Sequence, residues 1–358
     1  MGGTGRGEKN RFGTSLAVTE SKEVYGWGNS MYGALGVNAS IVSTPVRVAT
    51  GISTAVQVAG GSKSGSDDYH VNSIGNTGYT YILKEDGTVS SLGYNVHGEL
   101  GNGAKASTTA VQEVSNLTEI MQVAGSKNGN FGAAVKEDGT VWTWGNNTNG
   151  QLGNNSTENS SSPVQVKSAD GNTFLTNIIE ISAGSGHNMA LRNDGTVWTW
   201  GSNTYGQLGN GSSVNSMLPV QVKSADGNSF LADIVQISAG YVHSMALKKD
   251  GTVLAWGRND GGQLGNNNTS NKSLPVQVKG GASGSEYLTD VVQVTAGNWH
   301  SMALKANGTV YAWGWGQYGQ LGNGYTTNRD DTDYYSGEKI YSAPVQVLNL
   351  SLIHISEP

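Results

Sequence analysis

Residues Ile178 to Gly211 read IIEISAGSGHNMALRNDGTVWTWGSNTYGQLGNG and are followed by PVQV at 219–222. Apolar and polar residues alternate along much of it, as expected for strands that bury one face. Asn193, Asp194 and Gly195 predict a tight hairpin, because glycine tolerates a positive φ. Four segments predict β-strands, which we name A to D in chain order: 178–182, 187–192, 195–201 and 219–222.

This unit recurs six times along the chain. A glycine closes strand C in each copy, and a Leu-Gly step follows it eight residues later. The first glycine is Gly28, Gly93, Gly145, Gly201, Gly257 or Gly314, and the second is Gly36, Gly101, Gly153, Gly209, Gly265 or Gly322. Both columns keep intervals of 65, 52, 56, 56 and 57 residues. Such a shared phase indicates tandem repeats, anchored at about 28–36, 93–101, 145–153, 201–209, 257–265 and 314–322.

A single four-stranded sheet of this length leaves apolar surface exposed, and stacking on its neighbours buries it. We therefore predict an all-β fold, a β-propeller of four-stranded antiparallel blades, as one domain over residues 1–358. Trp144 and Trp200 are expected to fill the spaces between blades. The first unit lacks a strand A, and 351–358 is the candidate closing strand of a six-bladed ring. A truncated seven-bladed ring is the alternative.

Composition limits the classes of partner. The net charge is −6, and no run of Lys or Arg exceeds two residues, so we expect no nucleic-acid binding. The chain has no Cys, which excludes disulfides and zinc-thiolate sites. No apolar run approaches the roughly 20 residues of a membrane span, so we expect no membrane insertion. The N-terminal sequence lacks the apolar core of a signal peptide.

The segments GTVWTWGSNTYGQLGNG, PVQV and AGSGHNMAL resemble the regulator of chromosome condensation repeat family, from about residue 14 to 350. The resemblance implies a propeller, usually of seven blades, although six units are visible here. It also implies that a ring face binds a partner, with guanine-nucleotide exchange on a small GTPase and inhibition of a secreted enzyme as alternatives. The Asn, Ser, Thr and Gly content is similar to bacterial members, which favours a secreted or cell-surface location over a cytoplasmic one.

Three histidines occupy equivalent positions in their repeats: His187, His243 and His300. Other units carry Thr14, Tyr79 and Phe131 in the same column, so we expect these residues to pack rather than to bind metal or catalyse. The sequence DDTD at 330–333 permits a calcium hypothesis but lacks the spacing of a calcium loop. No triad or phosphate-binding loop is apparent. We expect no enzymatic activity, no cofactor and no metal.

The repeats differ most in two insertions, 61–78 between strands A and B and 325–342 between strands C and D. Both kinds of loop emerge at the same end of an antiparallel blade, where we expect the binding surface to lie. Tyrosines beside carboxylates favour a protein partner, with glycan binding as an alternative. We predict a monomeric, non-catalytic protein-binding scaffold. The candidate partner-binding residues are Asp67, Asp68, Tyr69, His70, Asp330, Asp331, Asp333, Tyr334 and Tyr335.

The D–A crossovers at the other end of the blades are near copies of each other. They read KSADGNTFLTN at 167–177 and KSADGNSFLAD at 223–233. Their similarity favours a shared structural role for that end.

Overall fold

The structure, a computed structural model, describes residues 14–63, 77–281, 286–316, 319–324 and 340–348. Within these ranges the regular elements are β-strands, apart from one short 3-10 turn at Met31–Gly33. That turn is far too short to cross a bilayer, and none of the described segments provides a helix that would.

The strands form six antiparallel sheets, each a meander in which neighbours in sequence are neighbours in space. The first sheet contains β1 (Thr14–Val18), β2 (Val24–Asn29) and β3 (Ile41–Val48). The second contains β4 (Ala55–Lys63), β5 (Thr77–Lys84), β6 (Val89–Gly93) and β7 (Thr108–Glu113). The third contains β8 (Ile120–Gly125), β9 (Phe131–Lys136), β10 (Val141–Gly145) and β11 (Ser160–Gln165).

The remaining three sheets repeat the same plan. The fourth contains β12 (Ile178–Ala183), β13 (His187–Arg192), β14 (Val197–Gly201) and β15 (Ser216–Gln221). The fifth contains β16 (Ile234–Ala239), β17 (His243–Lys248), β18 (Val253–Gly257) and β19 (Lys272–Gln277). The sixth contains β20 (Val291–Ala296), β21 (His300–Lys305), β22 (Val310–Trp315) and β23 (Ile340–Gln346).

This architecture confirms the predicted all-β class with four-stranded antiparallel blades. Among the described residues the first sheet has three strands, in agreement with the missing strand A of the first repeat. The candidate closing strand, 351–358, lies outside the described residues. Closure by that strand, and the choice between six and seven blades, therefore stay predictions.

The chain divides into two compact units. Unit 1 comprises the described residues up to Glu137 together with Trp142–Asn146 and Asn159–Val164. Unit 2 comprises Asp138–Val141, Asn147–Glu158 and the described residues from Gln165 onwards.

Strand D begins earlier than its sequence predicts, at Ser216 instead of residue 219. The ladder between β14 and β15 shifts register, because Thr199 pairs with Val220 whereas Gly201 pairs with Ser216. Pro219 lies in the resulting bulge, where the N–H that proline lacks is not needed by the ladder. An alternating sequence pattern does not reveal such an insertion, and the prediction of this boundary was therefore wrong.

The B–C hairpin has the expected tight turn. The Gly195 N–H donates to the Arg192 carbonyl at 2.9 Å, and Gly195 has a φ of +79°. The Asp194 carboxylate accepts hydrogen bonds from the backbone N–H and the hydroxyl of Thr196, at 3.0 and 2.6 Å. Asp86, Asp138 and Asp250 likewise accept from the threonine two residues later. Each of these carboxylates therefore stabilises the turn in which it lies.

Fully buried tryptophans connect each of the third to sixth sheets to the preceding one. The Trp200 indole N–H donates to the Gln151 carbonyl at 2.9 Å, and Trp256 makes the same bond to Gln207 at 2.9 Å. Trp144 and Trp313 bond in the same way to the carbonyls of Glu99 and Gln263. A buried indole N–H without a partner is unfavourable, so these bonds stabilise the packing of neighbouring blades.

The two glycine columns follow from close approaches of the backbone. A Cβ on Gly209, which has a φ of +66°, would lie 2.7 Å from the indole nitrogen of Trp256 in the next blade. A Cβ on Gly201, which has a φ of +100°, would lie 2.3 Å from the Gly186 carbonyl oxygen. The repeat therefore needs glycine at both positions.

Candidate partner-binding surface

The predicted partner-binding residues lie outside the described residues. This applies to Asp67, Asp68, Tyr69, His70, Asp330, Asp331, Asp333, Tyr334 and Tyr335. The flanks of the first insertion are described, and they prolong β4 and β5 until Lys63 pairs with Thr77. The insertion at 61–78 therefore begins and ends as an extension of the A–B hairpin.

Two of the three histidines in this column lie inside the packing of the blades, and His300 is half-buried. His187 and His243 are fully buried, and their Nε2 atoms lie 3.1 Å from the Ser244 hydroxyl and 3.0 Å from the Ser301 hydroxyl of the next blade. In the second blade Tyr79 occupies this column and donates to the Phe131 carbonyl at 2.7 Å. Burial raises the pKa of Tyr79 well above its usual range. The column thus links neighbouring sheets.

A cluster of aromatic residues around one arginine lies at the A–B and C–D end of unit 2. Tyr205 belongs to the C–D loop of the fourth blade, Arg258 follows strand C of the fifth, and Trp299 lies in the A–B loop of the sixth. The guanidinium carbon of Arg258 is 4.7 Å from the Tyr205 ring centre and 4.4 Å from that of Trp299. The Tyr241 ring lies 5.3 Å from the Trp299 ring. We name these four residues the Arg258 cluster.

Asp260 fixes the guanidinium in this position. Arg258 donates from Nε to Oδ1 at 2.8 Å and from Nη2 to Oδ2 at 2.6 Å. The Arg258 side chain keeps 21% of its surface exposed, and that of Asp260 keeps 54%. A cation above aromatic faces gains roughly 0.5–2 kcal/mol, depending on how far it is desolvated. The cluster is therefore an ordered surface that still reaches solvent.

Unit 1 has an aromatic contact at equivalent repeat positions. The Tyr32 and Tyr94 rings meet edge to face with centroids 5.0 Å apart, and His97 lies 6.3 Å from Tyr94. Tyr32 corresponds to Tyr205 in its repeat, and Tyr94 corresponds to Arg258. The same two loop positions thus carry side chains that contact each other in both units.

This chemistry suits the binding of a protein surface. Arg, Tyr and Trp are the residue types enriched among side chains that contribute most to protein–protein affinity. Among the described residues no group of three or more His, Asp or Glu side chains is placed to hold a metal ion.

Sequence reasoning missed the Arg258 cluster because it compared the lengths of loops and not the residues within them. The position after the strand C glycine holds a different kind of residue in almost every repeat: Asn29, Tyr94, Asn146, Ser202, Arg258 and Trp315. A column that varies inside an otherwise repetitive unit is the signal that would have identified Arg258.

Comparison with known proteins agrees with the fold. The RCC1-like domain model matches residues 68–356, and the regulator of chromosome condensation (RCC1) repeat model matches residues 22–64. Human WBSCR16 has a TM-score of 0.74 at 21% identity, covering 94% of this chain and 79% of that one. Yeast RCC1 (Prp20), solved with Kap60 bound, has a TM-score of 0.72 at 22% identity, covering 94% and 73%. These similarities show the propeller fold.

Curated relatives are similar over most of this chain. The ultraviolet-B receptor UVR8 of Arabidopsis thaliana is 32% identical over 348 residues, covering 92% of this chain and 71% of that protein. The mouse E3 ubiquitin-protein ligase HERC2 is 31% identical over 318 residues, covering 88% of this chain. The chain spans only 6% of the length of HERC2. On these matches the chain belongs to the regulator of chromosome condensation (RCC1) repeat family.

Proposed function

We propose that this chain is a non-catalytic domain that binds a protein partner through the A–B and C–D end of its blades, with the Arg258 cluster as the anchoring part of the surface. The insertions at 61–78 and 325–342 belong to the same two kinds of loop. The Asp and Tyr residues of these insertions stay further candidate contacts of a partner, as predicted from the sequence. We still predict from the sequence that the protein is monomeric, of bacterial type, and secreted or at the cell surface. The relatives reported above are eukaryotic.

The placement of Arg258 between the rings of Tyr205 and Trp299 carries the proposal. Association normally loses about 0.5–1.5 kcal/mol for each long side chain that becomes ordered. Arg258 is already held by two aromatic faces and by Asp260, so this loss is reduced. An ordered surface of this composition favours high affinity for a complementary partner.

The pairing of Arg258 with Asp260 also lowers the penalty of removing water. An isolated charge is expensive to desolvate, whereas a charge that keeps a hydrogen-bonded partner is less so. The Arg258 cluster therefore presents aromatic faces and a locally compensated charge. Such a surface fits a partner with both apolar and polar groups rather than one that is highly charged.

The test begins with partners recovered from the source cells by the purified domain and continues with binding constants for each purified partner. Arg258→Ala and Trp299→Ala should each weaken binding by about 2 kcal/mol, or roughly 30-fold. The matched controls, Arg192→Ala and Phe230→Ala, change the same kinds of side chain at the opposite end of the blades. If both pairs of variants have equal effects, the proposed surface is wrong.

A further inference from the structure

Strand A of one blade supplies hydrogen-bond acceptors to strand A of the next blade. In the fifth blade the Gln236 side chain accepts the N–H of Val294 at 2.8 Å. The Ser238 hydroxyl accepts the N–H of Ala296 at 2.9 Å. The third and fifth residues of strand A thus satisfy N–H groups that point out of the neighbouring sheet. The same contacts recur in other described blades: Glu180 with Ile237, Ser182 with Ala239, and Gln57 with Val123.

The second blade has N–H groups at the same two positions, those of Val58 and Gly60. No side chain among the described residues accepts a hydrogen bond from them, because the first sheet has no strand A within those ranges. Their counterparts in the fifth blade are covered, since Ile237 is 3% exposed and Ala239 is fully buried. By contrast, Val58 is half-buried and Gly60 is exposed. Within the described ranges β4 therefore lacks the neighbouring strand that its counterparts contact.

A cavity of about 270 Å³ lies beside these groups in unit 1. It is lined by Thr14 and Leu16 of β1 and by Val58, Gly60 and Gly61 of β4. β1 is an edge of the first sheet, since β2 is its only partner strand in the described part of the chain. An edge strand presents N–H and C=O groups that are ready to pair with another chain. The cavity therefore combines an open sheet edge with the two N–H groups of β4.

Hydrogen bonding, and not charge, selects what fits this site. The five described lining residues are all uncharged. A strand that pairs with β1 in the register of the other blades directs its third side chain to the Val58 N–H and its fifth to the Gly60 N–H. In the contacts described above the third residue is Gln or Glu, and the acceptor at the fifth position is Ser. The matching neutral segment therefore reads Gln-x-Ser, as at 236–238.

We propose that this site binds an extended segment of a protein partner, which contains Gln-x-Ser and pairs with β1 as strand A of the first sheet. Strand addition of this kind gains affinity from backbone hydrogen bonds and specificity from alternate side chains. The predicted closing strand, 351–358, has His354 and Ser356 at the two acceptor positions and is the competing occupant. A glutamine reproduces the described contacts, whereas a histidine does not, which favours the partner.

This site is separate from the Arg258 cluster and does not depend on the function proposed for it.

The probe is a fluorescein-labelled peptide, DIVQISAG, which copies strand A of the fifth blade at 233–240. Fluorescence anisotropy should show that it binds the full chain. Methylating the backbone N of its serine should weaken binding by about tenfold, because that N–H faces strand B. Methylating the backbone N of its alanine is the control and should have little effect. In the fifth blade that N–H donates to Ser182 of the preceding blade and so points away from strand B.

The two acceptor side chains of the peptide are tested separately. Methionine in place of its glutamine removes the acceptor for the Val58 N–H, and alanine in place of its serine removes the acceptor for the Gly60 N–H. Each change should weaken binding by about three- to tenfold.

On the protein, Gly60→Leu should abolish binding by filling the cavity. A Cβ at Gly60 lies 3.3 Å from the Leu16 Cδ1 atom, which belongs to the cavity lining. The matched control, Gly51→Leu, adds the same side chain where a Cβ meets no atom within 4 Å, and it should leave binding unchanged. Arg258→Ala should also leave binding unchanged, which separates this site from the Arg258 cluster. Thermal unfolding verifies that each variant is folded.

Three results would overturn the proposal. The first is equal binding of the two methylated peptides, and the second is equal binding by the Gly60→Leu variant. The third is binding that occurs only when the chain ends at Leu350, because the site would then belong to 351–358 and not to a partner.

Discussion

The Arg258 guanidinium lies 4.4 Å from the centre of the Trp299 ring, although the two residues come from different blades. Tyr205, from a third blade, contacts the other side of the guanidinium at 4.7 Å. The cluster therefore exists only while three successive blades pack together. Its binding function should depend on the contacts that join the blades as well as on its own side chains.

The indole bond between blades is tested by Trp200→Phe. This substitution removes the hydrogen bond to the Gln151 carbonyl and leaves a small cavity. We expect the free energy of unfolding to fall by about 2–4 kcal/mol. Trp198→Phe, on the same strand, is the control. Trp198 is half-buried and its Nε1 atom has no hydrogen-bond partner among the described residues, so a loss of about 1 kcal/mol or less is expected. Similar denaturant midpoints for both variants would contradict this role.

The second glycine column is tested by Gly209→Ala. The new Cβ would lie 2.7 Å from the Trp256 indole nitrogen, and the alanine would also keep a φ of +66°. Gly211→Ala keeps a φ of +78° but meets only Leu274, at 3.5 Å. The control should lose about 1–2 kcal/mol through backbone strain, and Gly209→Ala about 1–3 kcal/mol more through overpacking. Chemical denaturation measures both. Equal losses would show that the indole does not require the glycine.

Burial raises the pKa of Glu180 to about 7, although the Ile237 N–H donates to its carboxylate. The folded state therefore holds this proton more tightly than the unfolded chain does. The stabilisation that this raised pKa contributes is fully present below the ordinary glutamate pKa, near 4.5, and is lost as the pH rises through about 7. Gln57 and Gln236 occupy the same strand position and accept a backbone N–H at 2.9 and 2.8 Å without a charge.

Glu180→Gln should therefore raise the free energy of unfolding by about 1–2 kcal/mol at about pH 8 and have little effect at about pH 4. The exposed Glu158→Gln is the control, and it should have no effect at either pH. Thermal unfolding across this range measures the difference. A stabilisation that is independent of pH would indicate a cause other than the ionisation of Glu180.

The outer strand of the second blade lacks the proline found at the equivalent position of the other blades: Pro45, Pro163, Pro219, Pro275 and Pro344. In its place Ala110 donates its N–H to the Thr108 hydroxyl at 3.0 Å. Because this N–H makes no ladder bond, Ala110→Pro should be tolerated. Proline lowers the conformational entropy of the unfolded chain, so the substitution should stabilise the protein by about 0.4–1 kcal/mol. The control, Gln112→Pro, places proline at a ladder position that pairs with Ser91, and it should destabilise the protein. A destabilised Ala110→Pro variant would contradict this interpretation.

Much of the fold follows from the sequence because its determinants are local and repeated. Strand B of the fourth blade, His187–Arg192, lies where alternation and the Asn-Asp-Gly turn predict it. The start of strand D was missed because the bulge beside Gly201 depends on pairing between strands.

The partners of buried side chains were not predictable for a related reason. The column of His187 was predicted to pack, but its contact with Ser244 could not be predicted because it depends on how two repeats pack. The Arg258 cluster joins residues from three blades, and no short motif contains them. Sequence reasoning identified the end of the blades that carries variable loops and did not identify these side chains.

Site-specific cross-linking can show whether a partner docks on the Arg258 cluster. A photoreactive benzoylphenylalanine at Tyr205, with one at Phe230 as the control on the opposite end, is irradiated in the presence of the purified partner. We expect a saturable adduct from position 205 alone. Excess unlabelled wild-type protein should suppress this adduct, and an Arg258→Ala/Trp299→Ala variant with unchanged thermal unfolding should not. Equal adducts from both positions, or equal competition by that variant, would show that the partner does not dock on the Arg258 cluster.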